Sequence, residues 1–415
     1  MKYRSTRGGI KGVSLEEAIY TGFASDGGLL LPETLPVIDR SQLKLWAQQP
    51  DYRSLACKIV PLFAGDELSQ EDLEGILDRA YSSISAPEKI PIRRLSNNLI
   101  IAELFHGRTW SFKDYAMSVM GQLLEHFLSR AKKHRTLLIA DGSSDDMDDL
   151  FSHIYADEKF VKQHNISSLN SVNWGRIMLQ IVHYFYIYLQ IEESCEKELE
   201  IVVPTGGCGN VTAGCIAKLM GLPIRLTSCV NENDTVDRLI KTGTLSLNPV
   251  KQTISPSLDI QMPYNMERIW FLLNNGDGEM INKIMTELKT HSKCQLPDSL
   301  HTELTKIFGS FSADEDAIKS TIKRCYDENK YTICPHTAVG VAYHYHQLQK
   351  NTEADVKRVE LATASPAKFP EALGLAGVPP TEGLPQYQMD NLEKGDDWLK
   401  ALKQTIISID ERWTV

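Results

Sequence analysis

One stretch of the sequence constrains the fold more than any other. An apolar run from Glu200 to Pro204, a turn with three glycines, a helical period from Val211 to Met220 and a second apolar run from Pro223 to Val230 follow without interruption. That order predicts strand, helix, strand, and the right-handed crossover makes the two strands parallel. It also places the loop Thr205 to Asn210 at the carboxyl end of the first strand, where α/β sheets bind their ligands. A parallel sheet needs helices on both faces. The rest of the chain supplies the alternation, with Leu99 to Leu104 as strand, Phe112 to Ala131 as helix and Thr136 to Ala140 as strand. Val359 to Ala362 reads as a late strand running into a proline-containing loop, and Ser255 to Gly276 and Asp314 to Tyr326 read as helical in their cores. The expected fold class is therefore α/β.

The first ninety or so residues follow a different rhythm and read as a separate small unit. Helical spacing over Val13 to Phe23 gives way to the turn signal Asp26-Gly27-Gly28 and a short apolar run, Leu29 to Leu31. Two further helical stretches surround Ser41 to Trp46 and Glu71 to Ser83, and Ser85-Ala86-Pro87 marks a boundary. With 415 residues, 42% of them apolar and 24% charged, the chain can bury the core of two or three domains, which argues against disorder.

Charge narrows the partners. Lys and Arg number 44 against 54 Asp and Glu, a formal charge of −10. Long-range repulsion then disfavours nucleic acid and anionic membrane surfaces, leaving local basic pockets for small anions. The most apolar run, Ile177 to Ile191, is too short for a membrane span and carries Gln180, His183 and Gln190, so a buried helix is expected. The aromatic run Tyr184 to Tyr188 within it suits a core position. The N-terminus lacks a signal-peptide core and soon reaches Glu16 and Glu17, which points to the cytoplasm, with mitochondria as the alternative. Eight scattered cysteines without a C-x-x-C pair fit reduced thiols and argue against a structural metal site.

Two loops could carry chemistry. In Pro204-Thr205-Gly206-Gly207-Cys208-Gly209-Asn210, backbone N–H groups could converge on an anion at a helix N-terminus, or the glycines could serve only a tight turn. No Lys-Ser/Thr follows, and the spacing is not G-x-G-x-x-G, which disfavours ATP and NAD. In the loop Phe105 to Asp114, Lys113 stands at the start of the following helix. There the helix dipole favours the neutral amine that Schiff-base chemistry requires, against the plain alternative of a surface lysine.

Taken together, these residues resemble a family. FHGRTWSFKD around Lys113, the loop TGGCGN, and Ala362-Thr363-Ala364-Ser365-Pro366-Ala367-Lys368-Phe369 look like the threonine synthases, pyridoxal-phosphate enzymes of fold type II. So do Tyr3 to Gly8, Gly22 to Leu29, Ser168 to Trp174, Pro263 to Arg268 and Pro335 to Ala338, in order along nearly the whole chain. Cys334 before Pro335-His336 and the sequence GGCGN resemble most the vertebrate like-2 branch of that family. The resemblance implies a tryptophan synthase β-like catalytic region over 96–415 behind a threonine-synthase-type α+β domain over 1–95.

The resemblance also implies roles. Lys113 would hold pyridoxal 5'-phosphate in Schiff-base linkage and move protons at the substrate's α and β carbons. Gly206, Gly207, Cys208, Gly209 and Asn210 would bind the cofactor's phosphate, and Thr363 would be the neutral partner of the pyridine nitrogen. Arg268 is a candidate for gripping the substrate's phosphate, against the alternative of a structural salt bridge. His106, His183 and His336 default to packing roles, only His336 lying in a family motif. The expected substrate is a small phosphorylated amino acid. The like-2 branch implies a phospholyase giving 2-oxobutyrate, ammonia and phosphate from O-phosphohomoserine, and the alternatives are threonine synthase proper or an inactive variant acting as a binding protein. Fold type II enzymes are commonly homodimers.

One departure stands out. After Thr136 to Ala140 the family carries a Ser/Gly-Asp/Asn-Thr-Gly loop that packs on the cofactor ring and hydrogen-bonds its 3-hydroxyl; here Ala140 runs straight into the acidic segment from Asp141, and that loop is missing. The small domain is expected to be truncated near 140–141 by about two βα units, roughly 60 residues.

Overall fold

The computed structural model describes residues 1–133, 136–138, 154, 157–350, 357–382 and 397–413. Its centre is a six-stranded sheet. In chain order the strands are β3 (Ile92–Arg94), β4 (Ile100–Glu103), β7 (Leu199–Pro204), β8 (Ile224–Val230), β11 (Phe308–Ser312) and β12 (Arg358–Ala362). In space they run β11-β8-β7-β12-β4-β3, parallel throughout except for β3 against β4. Every residue of β4, β7 and β12 is buried, as a doubly covered parallel sheet demands. The late strand β12 thus takes a central place, pairing Arg358 with Glu200 of β7 and Leu361 with Ala102 of β4.

Smaller pairings complete the list. β1 (Tyr3–Ser5) is antiparallel to β2 (Leu30–Pro32), β5 (Thr136–Leu138) is parallel to β6 (Ile166–Ser168), and β9 (Thr244–Ser246) is antiparallel to β10 (Lys293–Gln295). The point of truncation expected at 140–141 lies outside the described residues.

The helix Trp174–Ile191 is the axle of the molecule. Every residue in it except Gln190 is buried, so it is apolar all round because protein surrounds it on all sides. Asn173 caps it, accepting from the Gly175 N–H at 2.9 Å while its own amide donates to Ile19 O at 2.7 Å. The N-terminal elements pack directly on this helix. The rings of Tyr3 and Phe63 stand 5.7 and 5.6 Å from Trp174, and Trp46 stands 5.9 Å from Phe185. The first ninety residues therefore share one continuous core with the helices Lys113–Ala131 and Gly209–Leu219. At about 1.5–3 kcal/mol for each large apolar side chain buried, this shared core welds the N-terminal elements to the frame of the site. Among the described residues, no helix is long and apolar enough to cross a membrane.

One local expectation is narrowed, and one helix goes beyond the sequence reading. Ser255 to Gly276 is not one helix: a single 3-10 turn at Pro256–Leu258 and an irregular stretch precede the helix Met266–Leu273. Pro256 and Pro263 lack the N–H a helix needs, and the Asp259 carboxylate accepts from Thr253 N–H and from Asn231 and Asn233, holding the chain in a local turn. The helix Tyr52–Ala64, with Pro61 inside it, was not foreseen.

Candidate active site

Three adjacent parallel strands, β7, β12 and β4, end on the same edge of the sheet, and the loops that follow them carry the chemistry-bearing residues. After β4 the chain runs through Leu104 to Phe112 to reach Lys113, the first residue of the helix Lys113–Ala131. After β12 it enters Thr363 to Lys368, and after β7 it enters the glycine loop.

The first two loops are stitched together. Leu104 N–H donates to Ala362 O at 2.9 Å, Phe112 N–H to Thr363 O at 2.8 Å, and Ser365 N–H to Trp110 O at 3.0 Å. Lys113 is thereby held one residue from the backbone partner of Thr363, Lys113 being exposed and Thr363 only 7% exposed. The buried Asp114 carboxylate fixes the turn before the helix, accepting from Thr109 N–H and Oγ1 and from Ser111 N–H at 2.9, 2.7 and 3.3 Å. Gly107 is required here, because a Cβ on it would sit 2.3 Å from Asp114 Cβ.

In the third loop the left-handed residue is Cys208, at φ 61°, and not a glycine. Gly206 serves close approach instead: a Cβ there would stand 2.8 Å from Ser257 O and 3.1 Å from Ile260 Cδ1. Gly207 and Gly209 would meet only ordinary contacts. Burial pushes the Cys208 thiol far above its usual range, which makes it packing and not nucleophile. Asn210 is 7% exposed, and its Oδ1 accepts from Tyr184 Oη at 2.6 Å. Its Nδ2 has no hydrogen-bond partner among the described residues.

Arg268 takes a different place from the one expected. Its side chain is fully buried, and its guanidinium donates to Leu30 O at 3.0 Å, Asn265 Oδ1 at 2.6 Å and Val172 O at 2.6 Å. Each of its three nitrogens donates to a protein acceptor, which favours a structural role over a grip on substrate phosphate. Burial, only partly offset by the neighbouring Glu267, lowers its pKa to about 9. Its effect on the site runs through Asn265, whose Nδ2 donates to Gly207 O at 2.9 Å and Ser171 O at 3.2 Å. Asn265 lay in a motif singled out from the sequence but was not recognised as a brace. Nothing in its residue type announced that role.

The three histidines separate cleanly. His106 Nε2 pairs with the Glu103 carboxylate at 2.8 Å. Burial would raise the Glu103 pKa, but hydrogen bonds from His106, Arg93 and Tyr331 outweigh it and bring it to about 2. His183 is buried among Tyr52, Tyr115 and the helix core, its Nδ1 2.7 Å from Tyr52 Oη. Only His336, 2% exposed, stands close enough to Lys113 and Lys368 to feel their charges.

These residues suit pyridoxal phosphate at three points. A glycine loop leading into the N-terminus of the helix Gly209–Leu219 and an unpartnered buried amide at Asn210 suit the phosphate. Lys113 suits the aldehyde, and Thr363 lies beside it. The place after Ala140 where the family's ring-packing loop would stand lies outside the described residues.

Comparison with known proteins gives the family. Models of the threonine synthase N terminus and of the threonine synthase C-terminal region match residues 2–81 and 337–406. The chain is 40% identical to threonine synthase-like 2 of Xenopus laevis, over 99% of each chain. That alignment spans 474 positions against 415 residues here, so at least 59 positions have no counterpart in this chain. Among solved structures, threonine synthase from Brucella melitensis with pyridoxal phosphate bound matches with a TM-score of 0.89 and 27% identity, over 98% of each chain. The yeast threonine synthase matches with a TM-score of 0.84 and 30% identity, over 99% of this chain and 98% of that one. The chain belongs to the threonine synthase family, whose members use pyridoxal phosphate on a fold type II scaffold.

Proposed function

We propose that this chain is a pyridoxal-phosphate-dependent phospholyase. Its substrate is O-phosphohomoserine, with O-phosphothreonine as a second candidate, and its products are 2-oxobutyrate, ammonia and phosphate. The observation that carries the reading is the convergence of Lys113, the glycine loop and Thr363 at the carboxyl ends of three neighbouring strands. When bound, the cofactor supplies the electron sink for cleavage at the substrate's α carbon.

The protein's share is binding, orientation and proton movement. Backbone N–H groups of the glycine loop and the free Nδ2 of Asn210 take the cofactor phosphate. Lys113 Nζ would take the α proton and then a β proton, whose bonding electrons expel the γ phosphate, and would return a proton to the γ carbon after the phosphate has left. Thr363, a neutral hydroxyl, partners the pyridine nitrogen without protonating it, which suits elimination over transamination. One water is consumed overall as the amino group is lost to ammonia.

The test is to express this chain, add pyridoxal phosphate, reduce with borohydride and map the peptides, then assay phosphohomoserine turnover. A cofactor adduct on Lys113 with 2-oxobutyrate as the main product supports the reading. Threonine as the main product makes the chain a synthase instead. The 59 or more unmatched positions favour one competing reading, a non-catalytic family member, and a folded sample with no adduct would establish it.

A further inference from the structure

His336 is the buried polar group that the proposed chemistry leaves unused. It is the second residue of the helix Pro335–Lys350, and its Nε2 lies 3.0 Å from the Ser257 backbone nitrogen. A backbone N–H can only donate, so Nε2 is the acceptor and the ring proton resides on Nδ1. That Nδ1–H has no hydrogen-bond partner among the described residues, although the side chain is 2% exposed. A buried donor without an acceptor is costly and persists where a ligand completes it.

The surroundings say which ligand. Burial first, then the charges of Lys113 and Lys368, lower the ring's pKa to about 3, so His336 is a neutral donor at physiological pH. Lys368 is held beside the Lys113 loop by its bond to Thr109 O at 2.9 Å. Ser257, which His336 grips, closes on Gly206 through its carbonyl. A neutral donor between two lysines and the cover of the glycine loop is an environment for an oxyanion.

We propose that His336 donates its Nδ1–H to an anionic oxygen of the ligand bound at Lys113, an inference that rests on the cofactor and substrate class proposed above. The oxyanion has three sources: the cofactor's phosphate, the substrate's phosphate or the substrate's carboxylate.

Two substitutions separate this role from simple bracing. His336→Gln keeps an acceptor near the Nε2 position for Ser257 and loses the Nδ1 donor. His336→Asn keeps a donor near Nδ1 and releases Ser257. Binding is read from the cofactor's absorbance, first with pyridoxal phosphate and with pyridoxal. The holoenzyme is then titrated with the methylene phosphonate analogue of phosphohomoserine and with norvaline, which lacks the phosphonate. The expected result is a loss of about ten- to a hundredfold in affinity for one class of ligand in His336→Gln, with His336→Asn much closer to wild type. Loss with pyridoxal phosphate but not pyridoxal assigns the bond to the cofactor. Loss with the phosphonate alone assigns it to the substrate phosphate, and loss with both amino acids assigns it to the carboxylate. Wild-type affinities in His336→Gln, or impairment confined to His336→Asn, overturn the proposal and leave the cofactor reading standing. A wild-type protein that binds no pyridoxal phosphate overturns both.

Discussion

Glu360 of β12 makes the protein's stability depend on pH in a way that one isosteric substitution removes. The side chain is 1% exposed, and neither carboxylate oxygen has a hydrogen-bond partner among the described residues. Its neighbour on β7, Glu200, takes the available donors instead: Arg358 Nε and Thr227 Oγ1, each at 2.6 Å, and Tyr343 Oη at 3.0 Å. Burial raises the Glu360 pKa well above its ordinary 4.5, Arg358 opposing and Glu200 assisting. The folded chain therefore holds a proton that the unfolded chain releases above about pH 4.5, so this group's contribution falls as pH rises through that value. One proton of difference is a slope of about 1.4 kcal/mol per pH unit. Between pH 5.5 and 7.0 wild type should thus lose about 2 kcal/mol relative to Glu360→Gln, whose amide keeps the shape of a side chain so close to Gly340 that a Cβ there would stand 3.0 Å from Oε2. Urea unfolding of both proteins at the two pH values, followed by tryptophan fluorescence, reads that difference directly. Parallel pH dependences for the two proteins would refute the assignment of a neutral Glu360.

Two further substitutions probe the phosphate end of the site. Asn265→Asp removes the donor to Gly207 O and Ser171 O while keeping an acceptor for Arg268. Affinity for pyridoxal phosphate should fall about tenfold and that for pyridoxal should not, and equal losses for both would point to general unfolding instead. Gly206→Ala places a Cβ 2.8 Å from Ser257 O, so either the loop or the 256–260 turn must shift. Equilibrium dialysis should then show pyridoxal phosphate weakened by about tenfold or more, whereas Gly209→Ala, with no contact under 3.5 Å, should cost far less.

How much of this was legible beforehand follows from what each residue's signal depends on. The βαβ unit around the glycine loop was readable because burial on both faces writes continuous apolar runs into β7 and β8, and the observed strands end within a residue of those runs. Lys113 and Thr363 were readable as motifs, but not the bond from Phe112 N–H to Thr363 O that joins their loops, since it links residues 251 positions apart. Arg268 read as a phosphate grip or a salt-bridging helix arginine, and only the packing of β2 and the Ser168–Trp174 segment against it reveals three buried carbonyl and amide acceptors. The stretch from Ser255 misled because its apolar spacing is helical while its hydrogen bonds go to the Asp259 carboxylate.

The strands that carry the site residues are separate from the segment where truncation is expected. Lys113, the glycine loop and Thr363 hang from β4, β7 and β12, whereas the expected truncation follows β5, which pairs with β6 in a separate two-stranded sheet. A planar cofactor gripped at its aldehyde carbon, at the phosphate on the adjacent ring carbon and at the nitrogen opposite the aldehyde is fixed at three points that do not lie on one line. Three such points would define its plane, so loss of the loop would cost a hydrogen bond to the 3-hydroxyl and the exclusion of water from the ring face, but not the three anchors. Water exclusion separates the two outcomes of the family's chemistry: a synthase must admit one water to one carbon, while a lyase ends in hydrolysis and tolerates a wetter site. A chain that keeps the three anchors and lacks the covering loop should bind the cofactor and run to the ketoacid. Its ratio of 2-oxobutyrate to threonine should accordingly exceed that of the yeast enzyme, assayed side by side on phosphohomoserine, and an equal or lower ratio would sink the argument.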